Sequence, residues 1–252
     1  MPSTIAETFV LPSLGKVYAE QFDPHITLRS MTVAEEMRRL SYSDDDYRNM
    51  CDIIEACIEG EKPPVHVYDM ILGDYQYLLH KIRVVTYGAD YKMTSQCPNC
   101  RSIVQMSVNL DDETVTEFDA EEIEKARNIV LPASKKKVLL SFQTPRMLDE
   151  LRERAKTAKR KAKSDDPMNY DVLYAIMSFI GKYDGRSLDE VALESLVRKM
   201  PMADANYIIQ KGDALNRKVG IDDSVIAKCS SCGYEAVTRF RLQSEFFGPV
   251  VD

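Results

Sequence analysis

Cys97 and Cys100 stand two residues apart in TSQCPNC, and Cys229 and Cys232 repeat that spacing in AKCSSCG, with 128 residues between the pairs. A C-x2-C pair in a tight turn forms a knuckle whose two sulfurs face one point, and the amides of the turn can donate to them. Two facing knuckles make a closed tetrahedral site of four thiolates, the ligand set of structural zinc. Pro98 stiffens the first turn, and Gly233 supplies the positive φ that such a turn commonly needs. After Cys100, Val104, Met106, Val108 and Leu110 alternate with polar residues; after Cys232, Tyr234, Ala236, Thr238, Phe240 and Leu242 do the same. Both are strands with one buried face, so the pattern predicts a zinc ribbon split by a long insertion. Closing such a loop costs about 5 kcal/mol of chain entropy, whereas structural zinc provides about 10 to 16 kcal/mol at neutral pH. The metal therefore outweighs the loop. Lys92, Arg101, Lys228 and Arg239 are close enough in sequence to offset the excess negative charge of four thiolates. A closed site leaves no position for water or substrate, which makes it structural. A redox dithiol reading lacks thioredoxin-like βαβ surroundings, and two coincidental pairs would not both precede alternating strands.

At 252 residues the chain can bury a sizeable core, enough for two lobes. Its hydrophobic share of 44% and charged share of 29% are those of a soluble globular protein. The longest unbroken apolar run, residues 172–177, is far too short to cross a bilayer. The opening MPSTIAETF carries no secretory signal, so reduced cysteines are expected. A formal charge of −7 argues against general nucleic-acid binding and favours protein partners.

Along the chain, residues 25–30 alternate as a short strand, and Thr32 with Glu35 forms a capping box that opens a helix. Tyr47, Met50, Cys51, Ile54, Cys57 and Ile58 mark one stripe of a helix over 46–59, so Cys51 and Cys57 are read as small core hydrophobes. A second helix is predicted over 68–87. His80, Gln76 and Arg83 fall opposite its apolar face, which predicts a solvated histidine; His25 and His66 have no partner histidine at metal-binding spacing. The acidic DDETVTEFDAEEIEKA reads as a loop and short helix, and 138–142 as a strand. From Pro145 a helix runs into a basic segment with eight Lys and Arg from Arg146 to Lys163 against three acids. Its far end has almost no apolar face, which predicts an arm projecting into solvent or toward a protein. Phosphate binding is the rival reading, although no aromatic residues interleave for single-strand binding. Three further helices are predicted over 170–180, 188–200 and 203–219. Each half runs strand, threonine, helices and then a Cys pair, a faint internal echo.

No G-x-S-x-G elbow, P-loop, dinucleotide fingerprint or H-E-x-x-H occurs, so the residues point to no enzyme. The ordered motifs FVLPSLGKVY, ITLRSMTVAEEM, CPNC, DGRSLDEV, MPMADANYI, CSSCGYEA and SEFFGP resemble the baseplate hub proteins of T-even-type contractile-tailed bacteriophages, the family of the hub subunit and hub assembly catalyst. The resemblance runs nearly end to end. It implies a virion structural or assembly protein working among other hub and wedge subunits, located in the tail baseplate and in the host cytoplasm during assembly, with no small-molecule substrate. By position, Cys97, Cys100, Cys229 and Cys232 match the family's zinc-ribbon cysteines; the segment around Lys156 to Lys163 has no place in the family pattern. Phe246 and Phe247, beside Pro249, form an apolar end that either docks on a partner subunit or folds back over the ribbon.

The expected fold is α+β, mostly helical with a small sheet and the split ribbon. Its lobes are residues 1–88, a ribbon of 89–112 with 222–245, and a helical lobe of 113–221 carrying the basic arm 146–163. A zinc-ribbon nucleic-acid-binding module and a baseplate assembly chaperone absent from the finished virion are the alternatives.

Overall fold

The computed structural model describes residues 5–41, 47–161, 169–239 and 246–247. Strands β1 (Ala6–Val10) and β2 (His25–Arg29) pair antiparallel with Phe9 opposite Ile26. The expected capping box starts α1 (Val33–Leu40), where the Thr32 amide donates to the Glu35 carboxylate at 2.6 Å. Helix α2 (Tyr47–Cys57) buries Cys51 and Cys57 completely, and burial pushes the Cys57 thiol up to about 11. Strand β3 (Ile58–Glu59) then completes a sheet of order β1-β2-β3.

Helix α3 spans Leu72–Tyr87 rather than beginning at Tyr68, which lies in a short 3-10 turn, Val67–Asp69. Two long-range bonds explain the break: the Ile71 amide donates to the Tyr18 hydroxyl at 3.2 Å, and the Leu72 amide donates to the carbonyl of Gln143 at 2.9 Å. The reading of a solvated His80 is overturned. His80 and Arg83 are both 1% exposed, because α3 is buried on almost every side. His80 Nδ1 lies 2.7 Å from the carboxylate of Glu113, and Arg83 donates to the carbonyls of Phe246, Gly88 and Asp90.

A hairpin of β4 (Asp90–Gln96) and β5 (Ile103–Asn109) carries the first knuckle, and β6 (Val115–Thr116) and α4 (Ala120–Arg127) lead onward. Strands β7 (Asn128–Val130) and β8 (Lys137–Leu140) precede α5 (Pro145–Lys161) and α6 (Tyr170–Ser178). Strand β9 (Ile180–Tyr183) makes a second sheet of order β7-β8-β9. After α7 (Glu190–Arg198) and α8 (Met202–Asn216), β10 (Gly220–Ile221) pairs back with β6. Strands β11 (Ser224–Lys228) and β12 (Glu235–Arg239) form the hairpin of the second knuckle. One hydrophobic core gathers around α2 and α3, and a second gathers around α6, α8 and the β8 strand.

The internal echo is a structural duplication. In both halves two antiparallel strands lead through an N-cap threonine to helices, a third strand, a long helix and a cysteine hairpin. The same two polar pins hold each unit. At the start of the long helix, Asp74 accepts from the Ser13 amide at 3.0 Å, and Asp204 accepts from the amides of Ala133 and Ser134 at 2.7 and 3.0 Å. At its end, Thr86 Oγ1 accepts from the Met31 amide at 3.1 Å, and Asn216 Oδ1 accepts from the Gln143 amide at 3.2 Å. Met31 and Gln143 each directly precede the cap threonine, Thr32 or Thr144.

Among the described residues the basic segment packs one side against the second core while Lys156, Lys159, Arg160 and Lys161 stay exposed. Small residues on α5 let α6 approach: Ala155 is buried and Ala158 packs against the second core. Arg146 pairs with Asp69, Arg154 with Glu190 and Lys159 with Asp171. Lys163, Phe240 and Leu242 lie outside the described residues.

Candidate metal centre

Each knuckle is built by the same backbone bonds. The Cys97 amide donates to the Ser102 carbonyl and the Arg101 amide to the Cys97 carbonyl, both at 2.9 Å. The Cys229 amide donates to Tyr234 and the Gly233 amide to Cys229, again at 2.9 Å. The residue after the second cysteine sits in the left-handed region in both turns, Arg101 at φ 62° and Gly233 at φ 73°. The glycine was expected there; the arginine occupies the matching position at a conformational cost of about 1 kcal/mol.

The hairpins bring the knuckles together, with β5 beside β11. All four sulfurs lie within 4.8 Å of one another. Cys97 Sγ is 3.7 Å from Cys232 Sγ, and Cys100 Sγ is 3.6 Å from Cys229 Sγ. A tetrahedron of sulfurs about 2.3 Å from a central zinc has edges of about 3.8 Å, so donor type, number and spacing all fit structural zinc. Cys97 and Cys229 are buried beneath Val104 and Met106, while Cys100 and Cys232 are exposed. Among the described residues no histidine joins the cluster.

Hydrogen bonds favour the thiolate at Cys229 and Cys100. The Ser102 hydroxyl lies 2.8 Å from Cys100 Sγ and 3.3 Å from Cys229 Sγ, bridging the two knuckles. Ser102, helped by the amides of Cys232 and Ser231, lowers the Cys229 thiol to about 6, a thiolate at neutral pH. The hydroxyl and amide of Ser102 also lower Cys100. At Cys232 the Tyr234 amide and Asn99 favour the thiolate, yet the neighbouring thiols of Cys100 and Cys229 push the group up to about 11. Four thiolates this close repel one another, and a divalent cation at their centre would remove that repulsion.

Lys228 and Arg239, expected to offset the site's charge, turn to Glu235 and Asp223. The polar side chains touching sulfur are instead Ser102 and Asn99, the latter 3.6 Å from Cys232 Sγ. Both belong to the first knuckle and its border, CPNCRS, where a hydroxyl or amide beside a cysteine is the sequence signal for such donors.

Phe246 and Phe247 belong to neither the ribbon surface nor an exposed docking end. They are 0% and 7% exposed, inserted into the first core. Phe246 lies 5.0 Å from the His80 ring and 5.2 Å from the Tyr91 ring, while Arg39 stacks over Phe247 and donates to its carbonyl at 3.1 Å. The partner-anchor reading of this pair is therefore corrected: both rings are occupied within the chain.

These features define an α+β protein with a duplicated core, its two units joined at a split four-cysteine centre. No helix among the described residues is long and apolar enough to cross a membrane. The family model described as T4 bacteriophage base plate protein matches residues 2–248, and the chain belongs to that family. Membership carries a structural or assembly role in the phage tail baseplate, with baseplate proteins as partners. No curated protein and no solved structure matches the chain.

Proposed function

We propose that this chain is a non-enzymatic scaffold of the baseplate hub, in which zinc held by Cys97, Cys100, Cys229 and Cys232 locks two related units into one body. The observation that carries the reading is the convergence of four sulfurs, two from each unit, in a member of the baseplate family. Zinc would act there as a fixed cross-link, and the residues around it bind and orient it without leaving a reactive position. The locked body then presents its outer surfaces to hub and wedge subunits at a defined angle, first in the host cytoplasm and then in the virion tail. The ion pairs that bind the basic helix α5 within the chain favour this reading over a nucleic-acid module. Cys229→Ser supplied in place of the native chain during infection tests it. The variant loses its metal, its cooperative unfolding and baseplate assembly; normal baseplates built with metal-free chain would overturn the proposal.

A further inference from the structure

The two knuckles share one backbone pattern and differ in their side chains. Counted from the cysteines, Pro98, Asn99 and Ser102 of the first turn stand where Ser230, Ser231 and Tyr234 stand in the second. The backbone bonds that close the turns match one for one, so any difference in what the turns do to a sulfur comes from these side chains.

That difference runs in one direction. Asn99 Nδ2 donates to Cys232 Sγ at 3.6 Å, and the Ser102 hydroxyl lies 3.3 Å from Cys229 Sγ. Each sulfur of the second knuckle is therefore met by a polar side chain of the first. Nothing returns the contact. Ser230 and Ser231 are exposed and Tyr234 is 47% exposed, and among the described residues none of the three gives a side-chain hydrogen bond to a sulfur. Within the first turn, Ser102 also lies 2.8 Å from Cys100 Sγ. The contacts of Asn99 and Ser102 to the second knuckle exist only where the hairpins of the two units meet. They fall on one buried cysteine, Cys229, and one exposed one, Cys232. A cysteine side chain in water loses rotamer freedom when it is fixed on a metal. A donor already aimed at its sulfur has fixed that rotamer beforehand and shares the charge of the thiolate.

We propose that Asn99 and Ser102 are positioning residues for the second knuckle: across the junction of the units they orient Cys232 and Cys229 toward the shared metal and set how tightly the chain keeps it. The first knuckle is the receiving half of the centre and the second the docking half. This inference rests on the zinc reading proposed above.

The test is competition for zinc between the purified full-length chain and a chelator of known affinity at neutral pH. Asn99→Ala and Ser102→Ala should each weaken zinc binding about tenfold or more, the usual loss when a partner of a metal ligand is removed. Asn99→Asp keeps the shape without the donor and should weaken binding at least as much. Ser102→Thr keeps the hydroxyl, and Ser231→Ala truncates the counterpart of Asn99; both should stay within about twofold of the native chain, because neither removes a donor to sulfur. All of these sites are exposed or half-buried, so each loaded variant should keep its native circular dichroism. Native affinity in either Asn99→Ala or Ser102→Ala overturns the proposal. An equal loss in Ser231→Ala also overturns it, by making the effect one of turn stability on either side. Failure of Ser102→Thr to restore affinity overturns it too, by assigning Ser102 to packing. A native chain that takes up no zinc at all sinks the metal reading itself, and the inference with it.

Discussion

Asp74 and Asp204 occupy the same position of the same helix in two related units, yet burial pushes the Asp74 carboxyl up while Asp204 is held down. Asp74 receives the Ser13 amide, the Ser13 hydroxyl and the Tyr18 hydroxyl, too little to offset its desolvation. Burial also disfavours the charge of Asp204, but the Ser134 hydroxyl and the amides of Ala133 and Ser134, with Lys135 nearby, outweigh it. One architecture thus shifts the pin's carboxyl either way, and the local set of donors decides which. The comparison extends to the helix starts. A Cβ at Gly73 would lie 2.0 Å from the Val219 carbonyl oxygen, because residues 219 and 220 cross α3 there. The second unit has alanine at the matching position, residue 203.

Gly73→Ala therefore gives the largest effect, about 3 kcal/mol of destabilisation from a forced backbone shift. Ala203→Gly costs about 1 kcal/mol or less, as glycine does in any helix. Denaturant unfolding of both variants checks the contrast, and equal costs would mean that the crossing at Gly73 is not tight.

The pins come next. Asp204→Asn removes a charge that its donors favour and costs about 2 kcal/mol, whereas Asp74→Asn costs under about 1 kcal/mol. Acidification separates them by sign. Asp204 titrates below the unfolded value of about 3.9, so its contribution is present above that value and lost as pH falls through the folded pKa. Asp74 titrates above its unfolded value, so its contribution is full below that value and lost as pH rises through the folded pKa. Between about pH 6 and about pH 3, amide exchange corrected for intrinsic rates should show the Ala133 and Ser134 amides losing protection while Ser13 gains it. Parallel loosening of both turns would break the distinction.

The knuckles come last. Arg101→Gly should stabilise the metal-loaded protein and Gly233→Ala destabilise it, each by about 1 kcal/mol, because both positions need a positive φ. Calorimetry of the loaded chain reads both signs.

The four-cysteine cluster was legible because C-x2-C fixes the chemistry locally, and only the meeting of the two turns had to be inferred. The capping box of Thr32 and Glu35 and the core cysteines of α2 were legible for the same reason. Periodicity failed at α3, where His80 and Arg83 oppose an apolar stripe but face a second buried surface made by Phe246, a residue at the far end of the chain. It failed again at α5, whose alanines read as weakly apolar yet permit close helix packing. The duplication has its own signal, VLPS and VLPA before the pinned turns and DYQYLLHK and DANYIIQK on the long helices. Those pairs become informative once the aspartates are seen to grip the turns.

The two units are proposed to act as one body because a cation joins them, and the purified full-length chain can be asked directly. X-ray absorption at the zinc edge, with elemental analysis, should find about one zinc per chain surrounded by four sulfurs at about 2.3 Å. A metal-free chain that still unfolds in a single transition, or a zinc with oxygen or nitrogen in place of any sulfur, would contradict the account.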